Sequence, residues 1–230
     1  MTITIRPVTG VPEVKPGDDL AAILANALRP LSPADGDVLV VTQKIVSKAE
    51  GALRPATDEA DYRRIVEEEA ATVLRRRGPL VITVTKHGFV CANAGVDRSN
   101  IAEGQVVLLP SDPDRSAHRI RLRLQREFGI SMAVIVTDTF GRAWRQGLVD
   151  VAVGVSGMLP VRDLRGSTDT FGRLLEATEV AVADEIAAAA ELVIGKASGI
   201  PAALVSGYAY PAGEGRATDL IRAPADDMFR

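Results

Sequence analysis

The stretch "VIVTDTFGRAWRQG", residues 134–147, runs from four apolar or β-branched residues directly into an acid, a hydroxyl, a glycine and two arginines. A short apolar run of this kind predicts a buried β-strand, which we extend over "SMAVIVTD", residues 131–138. A buried strand that ends in Asp138 and Thr139 places a charge where burial is costly unless a partner neutralises it. The stretch therefore predicts a core strand with a polar site at its end.

The segments on either side of this strand are predicted from hydrophobic periodicity and turn residues. We expect strands in "ITIRPV" (3–8), Val38–Val41, "LVITVT" (80–85), "GFVCANAG" (88–95) and "PAALVSGYAY" (201–210). We expect helices in residues 20–28, 58–77, 111–129 with Ser116 as N-cap and Gly129 as its end, and 177–196. Residues 157–173 show no periodicity and are predicted to be an irregular loop.

Strands and helices alternate irregularly along the chain, without the steady βαβ rhythm of a doubly wound sheet. We therefore predict an α+β fold with mixed or antiparallel sheets and packed helices, which is neither a Rossmann nor a P-loop architecture. The sequence shows no fixed-period repeat and no low-complexity linker. We expect residues 1–230 to form a single domain.

Composition excludes several classes of function. The 27 basic and 30 acidic residues give a net charge of −3 with no long basic run, so we expect no nucleic-acid partner. Cys91 is the only cysteine, which excludes internal disulfides and is compatible with a reducing cytosol. There is no signal-peptide pattern and no apolar stretch near the ~20 residues that a membrane span requires. We predict a soluble, cytoplasmic protein.

Two acidic segments could form a metal site. "AGVDRSN" (94–100) and "VTDTFGR" (136–142) each place an acid after a strand. If the two strands are neighbours, Asp97, Asp138 and the Thr139 hydroxyl converge as the hard oxygen ligands that Mg²⁺ and Mn²⁺ prefer. Alternatively, both aspartates are turn-forming residues that accept hydrogen bonds from their own backbone. The residue pattern leaves both interpretations open.

Cationic segments could bind phosphates, although neither G-x-x-x-x-G-K-[ST] nor G-x-G-x-x-G occurs. Arg142 and Arg145 could hold phosphate or carboxylate groups in bidentate geometry. Lys44 and Lys48 follow a buried strand, and "IGKASGIP" (194–201) offers a lysine and backbone amides around two glycines. Solvated arginines, exposed lysines and a helix C-cap followed by a turn are the alternatives.

Five motifs in order closely resemble the coenzyme F420:L-glutamate ligase family, also called F420-0:γ-glutamyl ligase. They are "VTQKIVSKAEG" (41–51), "AGVDRSN" (94–100), "LLPSDPDRSA" (108–117), "VIVTDTFGRAWRQGLVDVAVGVSGM" (134–158) and "TEVAVADEIAAAAELVIGK" (178–196). The resemblance extends from "GVPEVKPGDDL" (10–20) to "APADDMFR" (223–230). In some bacterial relatives this domain is fused to a nitroreductase-like FMN domain, whereas we expect the ligase domain to stand alone here.

The resemblance implies a GTP-dependent ligase that uses two divalent cations, Mg²⁺ or Mn²⁺, with K⁺ as a further candidate cation. Such enzymes are usually homodimers, and we expect an intertwined one. The reaction implied is the addition of L-glutamate to the deazaflavin precursor F420-0 and then, through the γ-carboxylate, to F420-1. In this chemistry a carboxylate is activated as an acyl phosphate, which needs positioning and charge neutralisation rather than a nucleophilic side chain.

The resemblance also implies roles for individual residues. Asp97, Asp138 and Thr139 correspond to metal ligands. Catalytic roles are implied for Asp138 and, on phosphates or the acidic acceptor tail, for Arg142 and Arg145. Positions implied to contact the nucleotide are Val11, Pro12, Glu13, Val14, Gln43, Lys48, Asn100, Lys196, Ala197, Ser198 and Gly199.

Two other functions remain open from the residues. A metal-dependent phosphohydrolase would share the acidic site but would lack the amine acceptor, so its phosphate release would not depend on glutamate. A nucleotide-binding regulatory module would bind GTP without forming product.

Overall fold

A computed structural model describes residues 2–228 of the chain. The strands are β1 (Thr4–Pro7), β2 (Val38–Thr42), β3 (Leu53–Pro55), β4 (Ala70–Arg77), β5 (Leu80–Thr85), β6 (Val90–Ala92), β7 (Gln105–Val107), β8 (Ala133–Arg142), β9 (Arg145–Ser156), β10 (Arg162–Asp163), β11 (Glu179–Val180) and β12 (Ala202–Ser206). The α-helices are α1 (Leu20–Leu28), α2 (Gln43–Ala49), α3 (Glu59–Glu69), α4 (Pro113–Phe128) and α5 (Val182–Ile194). Short 3₁₀ turns lie at Arg29–Leu31, Asn93–Gly95, Ala217–Leu220 and Pro224–Asp226.

The main sheet has the strand order β1-β12-β2-β8-β9. β2 and β8 run parallel, and the other neighbours are antiparallel. Val38–Val41 and residues 133–137 are buried along their whole length, which shows that both faces of the sheet centre are covered. The small sheets are β3-β7, β4-β5-β6 and β10-β11. The fold is therefore mixed α+β, which confirms the fold class predicted from the sequence.

Helices supply the cover of the main sheet. α4 packs against α1, β8 and β9, whereas α5 packs against β9, β12 and β1. α4 begins after Asp112, whose side chain accepts a hydrogen bond from the Arg115 amide, and ends at Gly129 in the left-handed conformation. Gly129 is therefore the predicted end, but Ser116 is not the N-cap. Ser116 lies inside the helix, where its hydroxyl donates to Glu50 and is also near the Asp112 carbonyl.

The predicted helix over residues 58–77 is wrong in its second half. α3 ends at Glu69, and residues 70–77 form β4, which pairs antiparallel with β5. Ile65 and Val66 are buried as the helical stripe requires, whereas Val73 is 38% exposed. The cause is non-local, because pairing with the strand at residues 80–85 overrides a helical spacing that continues by coincidence.

Several elements were not predicted. Residues 43–49 form α2, and residues 145–156 form β9, the return strand of a hairpin. The short strands β3, β7, β10 and β11 were also not predicted, and β11 lies within the predicted helix 177–196, which begins only at Val182. The hairpin turn is Ala143–Trp144, since Arg142 pairs with Arg145. Residues 157–173 are largely irregular, as expected, apart from β10. Among the helices of residues 2–228, none is long and apolar enough to cross a membrane.

Close packing of β9 on the start of α4 gives a stability test. A Cβ at Gly154 would overlap the backbone carbonyl of Pro113, and backbone cannot move aside as a side chain can. We expect Gly154→Ala to lower the free energy of unfolding by about 1–3 kcal/mol or more, measured by urea denaturation. Gly141→Ala in the same hairpin is the control, because a Cβ there meets nothing within 4 Å. Equal stability of the two variants would contradict this packing.

Candidate active site

A cavity of about 380 Å³ opens where β2 ends, next to residues 137–139 of β8. Its size lies within the range of about 300–1,000 Å³ that is typical of small-molecule sites. It is lined by Val11, Pro12, Glu13, Val14, Thr42, Gln43, Lys44, Ile45, Lys48, Asp97, Asn100, Thr137, Asp138, Thr139, Asp150, Glu191, Ile194, Gly195, Lys196, Ala197, Gly199, Ile200 and Pro201. The cavity thus collects most of the residues that the sequence analysis singled out.

The parallel pair of strands explains where the cavity forms. Thr42 lies opposite Thr137, so β2 and β8 reach the same edge of the sheet together. There β2 passes into α2 at Gln43, while β8 continues to Asp138 and Thr139. Carboxyl ends of parallel strands are common ligand sites, because the chain departs from the sheet there and leaves a crevice.

Asp97 reaches the cavity by a route that the sequence did not indicate. It does not follow a strand that pairs with β8; it lies after the 3₁₀ turn Asn93–Gly95, in an isolated bridge with Val107. Its carboxylate pairs with Lys44 Nζ at 2.9 Å and accepts from the Ser99 backbone amide at 2.7 Å. Burial alone would raise the pKa of Asp97, but the Ser99 amide and Lys44 outweigh it, so the pKa lies below its ordinary value.

Asp138 is the least compensated charge of the site. The pKa of Asp138 is raised to about 7, mainly by burial and in addition by the negative charges of Asp97 and Asp150. The Thr139 amide and the charge of Lys196 act in the opposite direction without cancelling these effects. Three carboxyl groups that repel one another across a cavity favour the entry of a cation.

Asp150 is a cavity residue that the sequence analysis missed. It is 3% exposed, and its two carboxylate oxygens accept from Thr139 Oγ1 at 2.7 Å and Thr137 Oγ1 at 3.3 Å. The available indication was an acid within the apolar run "LVDVAVGV", residues 148–155. Its position in the cavity follows from the pairing of β9 with β8, which no local pattern of the sequence indicates.

Polar groups on α2 are also directed to the cavity. Gln43 is 1% exposed, and its Oε1 accepts from Ser47 Oγ at 2.8 Å. Its Nε2 finds no hydrogen-bond partner among residues 2–228. A buried donor without a partner is costly, so this amide points to a bound acceptor such as a phosphate or carbonyl oxygen. One turn later Lys48 forms an ion pair with Glu13 at 2.5 Å.

The donor set fits a divalent cation whose remaining ligands are waters or substrate oxygens. Within the described part of the chain, no three carboxylate, imidazole or thiol groups are gathered so as to hold a metal by themselves. Mg²⁺ is usually bound by one or two carboxylates together with waters and substrate phosphates. Asp97, Asp138 and the Thr139 hydroxyl at one cavity supply that partial set. Turn formation accounts for the hydrogen bond that Asp97 accepts from the Ser99 amide, but it does not account for the partly buried Asp138.

The loop after α5 forms another side of the cavity. Lys196, Ala197 and Gly199 line it, and Asn100 Nδ2 lies 3.4 Å from the Lys196 carbonyl. The predicted nucleotide loop is thus next to the acidic residues. Ser198 is not among the lining residues; its hydroxyl is near the Ile194 carbonyl and accepts from the Ile200 amide at 3.2 Å.

The structure does not place the two arginines among the cavity lining. Arg142 and Arg145 flank the turn of the β8–β9 hairpin and are exposed. Arg142 donates to the Gln146 carbonyl at 2.6 Å. They are strand residues, not residues of a helix face, and their contact with phosphates or an acceptor tail stays a prediction.

Comparison with known proteins adds independent information. A family model described as F420-0:Gamma-glutamyl ligase matches residues 9–207. The coenzyme F420:L-glutamate ligase of Methanothermobacter thermautotrophicus is 41% identical over the full length of both chains. Those of Methanopyrus kandleri and Archaeoglobus fulgidus are 42% and 40% identical over all of this chain and 98% and 97% of their own.

The raised pKa of Asp138 has a measurable effect on stability. Its ordinary value is 3.8, so between about pH 4 and 7 the folded protein keeps a proton that the unfolded chain loses. The stability of the wild type is therefore reduced as pH rises to 7, by about 1.4 kcal/mol for each pKa unit crossed. We expect the Tm of Asp138→Asn, relative to wild type, to be higher at pH 8 than at pH 5, measured by scanning calorimetry in EDTA.

Asp184→Asn is the control, because Asp184 is a partly buried aspartate outside the cavity lining. The raised pKa of Asp184 also predicts that the Tm difference between Asp184→Asn and wild type depends on pH. Mn²⁺ added at pH 8 should not change that difference. For Asp138→Asn, Mn²⁺ added at pH 8 should reverse the increase in Tm relative to wild type. A Tm difference for Asp138→Asn that is constant with pH would contradict the buried charge.

Proposed function

Because the chain belongs to the F420-0:gamma-glutamyl ligase family, we propose that it adds L-glutamate to the deazaflavin F420-0, and then to F420-1, at the expense of GTP. The observation that carries this proposal is the cavity at the end of β2, next to residues 137–139 of β8. It combines acidic groups suited to divalent cations with a buried, unpaired amide donor suited to a nucleotide. A homodimeric state and a cytoplasmic location remain predictions from the sequence.

The proposed reaction has two steps. An oxygen of the acceptor carboxylate attacks the γ-phosphorus of GTP, the bond to the β–γ bridging oxygen breaks, and GDP leaves. The amine of L-glutamate then attacks the carbonyl carbon of the acyl phosphate, loses a proton, and expels inorganic phosphate as the amide forms. Neither step needs a covalent bond to the protein. Burial raises the pKa of the lone Cys91 thiol to about 12, in keeping with this absence of a nucleophile.

The residues of this chain would act by binding and orientation. Gln43 Nε2 would donate to an oxygen of the nucleotide, and Lys48 would leave Glu13 to pair with a phosphate. Asp97, Asp138 and Thr139 would hold the divalent cations. When bound, these cations supply charge neutralisation on the transferring phosphoryl group.

Mass spectrometry of the deazaflavin product tests the proposal directly. F420-0 is incubated with the protein, GTP, L-glutamate and Mg²⁺ or Mn²⁺, and with controls that each lack one component. We expect a gain of one or more glutamyl units only in the complete mixture, with one phosphate released for each unit added.

Other outcomes of this assay would replace the proposal. Phosphate release that does not depend on glutamate indicates a phosphohydrolase. Tight GTP binding without product or phosphate release indicates a regulatory module. Product formed in the absence of a divalent cation would remove the metal from the reaction.

The activity of Asp138→Asn provides a second test. The substitution removes a negative charge while keeping the shape of the side chain, so we expect the fold to be retained and glutamate addition to fall by at least about 100-fold. Glu185→Gln, at an exposed position of α5, is the control and should keep wild-type turnover. A near wild-type rate for Asp138→Asn would exclude Asp138 from the mechanism.

A further inference from the structure

The Thr139 hydroxyl donates its hydrogen bond to Asp150 on the neighbouring strand, at 2.7 Å. We propose that Asp150 is a positioning residue, which turns the oxygen lone pairs of Thr139 toward the cavity so that this hydroxyl can bind a divalent cation. The inference rests on the proposed function, because it assigns a task to a residue of the same site.

The chemistry of a hydroxyl makes such a partner necessary. A threonine hydroxyl has one hydrogen and two lone pairs, and it rotates to suit its surroundings. It can bind a cation only through a lone pair, so its hydrogen must be directed elsewhere. A carboxylate is the strongest acceptor for it, and charge-assisted bonds of this kind are about twice as strong as neutral ones. Partners that orient a metal ligand also increase its basicity.

The sheet holds Asp150 in place for this task. Asp150 lies directly opposite Thr139 in the antiparallel register of β8 and β9. Thr137, two residues before Thr139 and thus on the same face, has its Oγ1 3.3 Å from the other carboxylate oxygen and 3.0 Å from the Val151 carbonyl. With 3% exposure the side chain has little freedom to rotate. Its acceptor oxygen is therefore fixed by the backbone pairing of two strands.

Asp97 and Asp150 have different surroundings, which separates their tasks. Asp97 is paired with Lys44 and is the more exposed of the two, with a side chain that is 31% exposed. Asp150 is buried and accepts from hydroxyl groups. An acid that serves as an acceptor for a ligand, and not as a ligand itself, should affect the cation chiefly through Thr139, with a smaller contribution from the attraction of its own charge.

A double-mutant cycle on Mn²⁺ binding tests this dependence. Mn²⁺ alone is titrated into wild type, Thr139→Val, Asp150→Ala and the double variant, with free Mn²⁺ followed by electron paramagnetic resonance. We expect each single variant to bind Mn²⁺ about 10- to 100-fold more weakly. The double variant should be only slightly weaker than Thr139→Val, because once the hydroxyl is gone Asp150 contributes only the attraction of its charge.

Conservative variants complete the design. Thr139→Ser keeps the hydroxyl, so it should bind Mn²⁺ within about threefold of wild type, and Asp150→Ala should again weaken binding in that background. If Asp150→Ala does not fold, as judged by circular dichroism, Asp150→Asn replaces it in the cycle. The amide is a weaker, neutral acceptor, so the same loss of additivity is expected with a smaller single effect.

Three results would overturn the inference. Additive losses in the cycle would show that Asp150 acts on the cation independently of Thr139. Unchanged Mn²⁺ affinity in the Asp150 variant would show no role, and a wild type without saturable Mn²⁺ binding would leave no ligand to orient. Glutamyl addition to F420-0 is measured on the same wild-type protein. Product with an additive cycle refutes only the positioning role, whereas a non-additive cycle without product refutes only the ligase.

Discussion

The parallel pairing of β2 with β8 is the constraint on which the rest of the structure depends. It runs from Val38 opposite Ala133 to Thr42 opposite Thr137 and brings two chain segments to one edge of the sheet. Both strands are buried on both faces, so the core itself fixes their register. The residues that follow these buried segments are consequently placed by the core of the molecule, which suits a site that works by positioning.

The cavity contains charged and polar groups whose burial lowers the stability of the fold. Asp138 is partly buried in the same cavity as Asp97 and Asp150, and its raised pKa reflects the cost of ionising it there. Gln43 adds a buried donor without a partner among the described residues. Local costs of this kind are common at functional sites, because a ligand that relieves them is bound in preference to water. The extended core of the main sheet and its helices offsets them.

The success of sequence reasoning differed between local and non-local features. α1 and the end of α4 at Gly129 follow from periodicity and a left-handed cap, and both were predicted. The helix over residues 58–77 failed where β4 begins, because pairing with β5 decides that segment. β9 was missed for the same reason, and with it Asp150. Both errors therefore fall where pairing with the other strand of a hairpin determines the conformation.

The sequence by itself determined that the buried part of a strand is followed by Asp138 and Thr139, that no Walker motif is present, and that the fold is α+β; the strand itself continues to Arg142, beyond its predicted end at residue 138. These features depend on residue type and short-range spacing, which the chain carries everywhere along its length. Only the tertiary structure decided that Asp97 arrives from outside the main sheet, that Asp150 faces Thr139, and that Arg142 lies at a hairpin turn. The reason is physical: a sequence specifies the faces of its strands, but which strands become neighbours depends on how all of those faces are buried together.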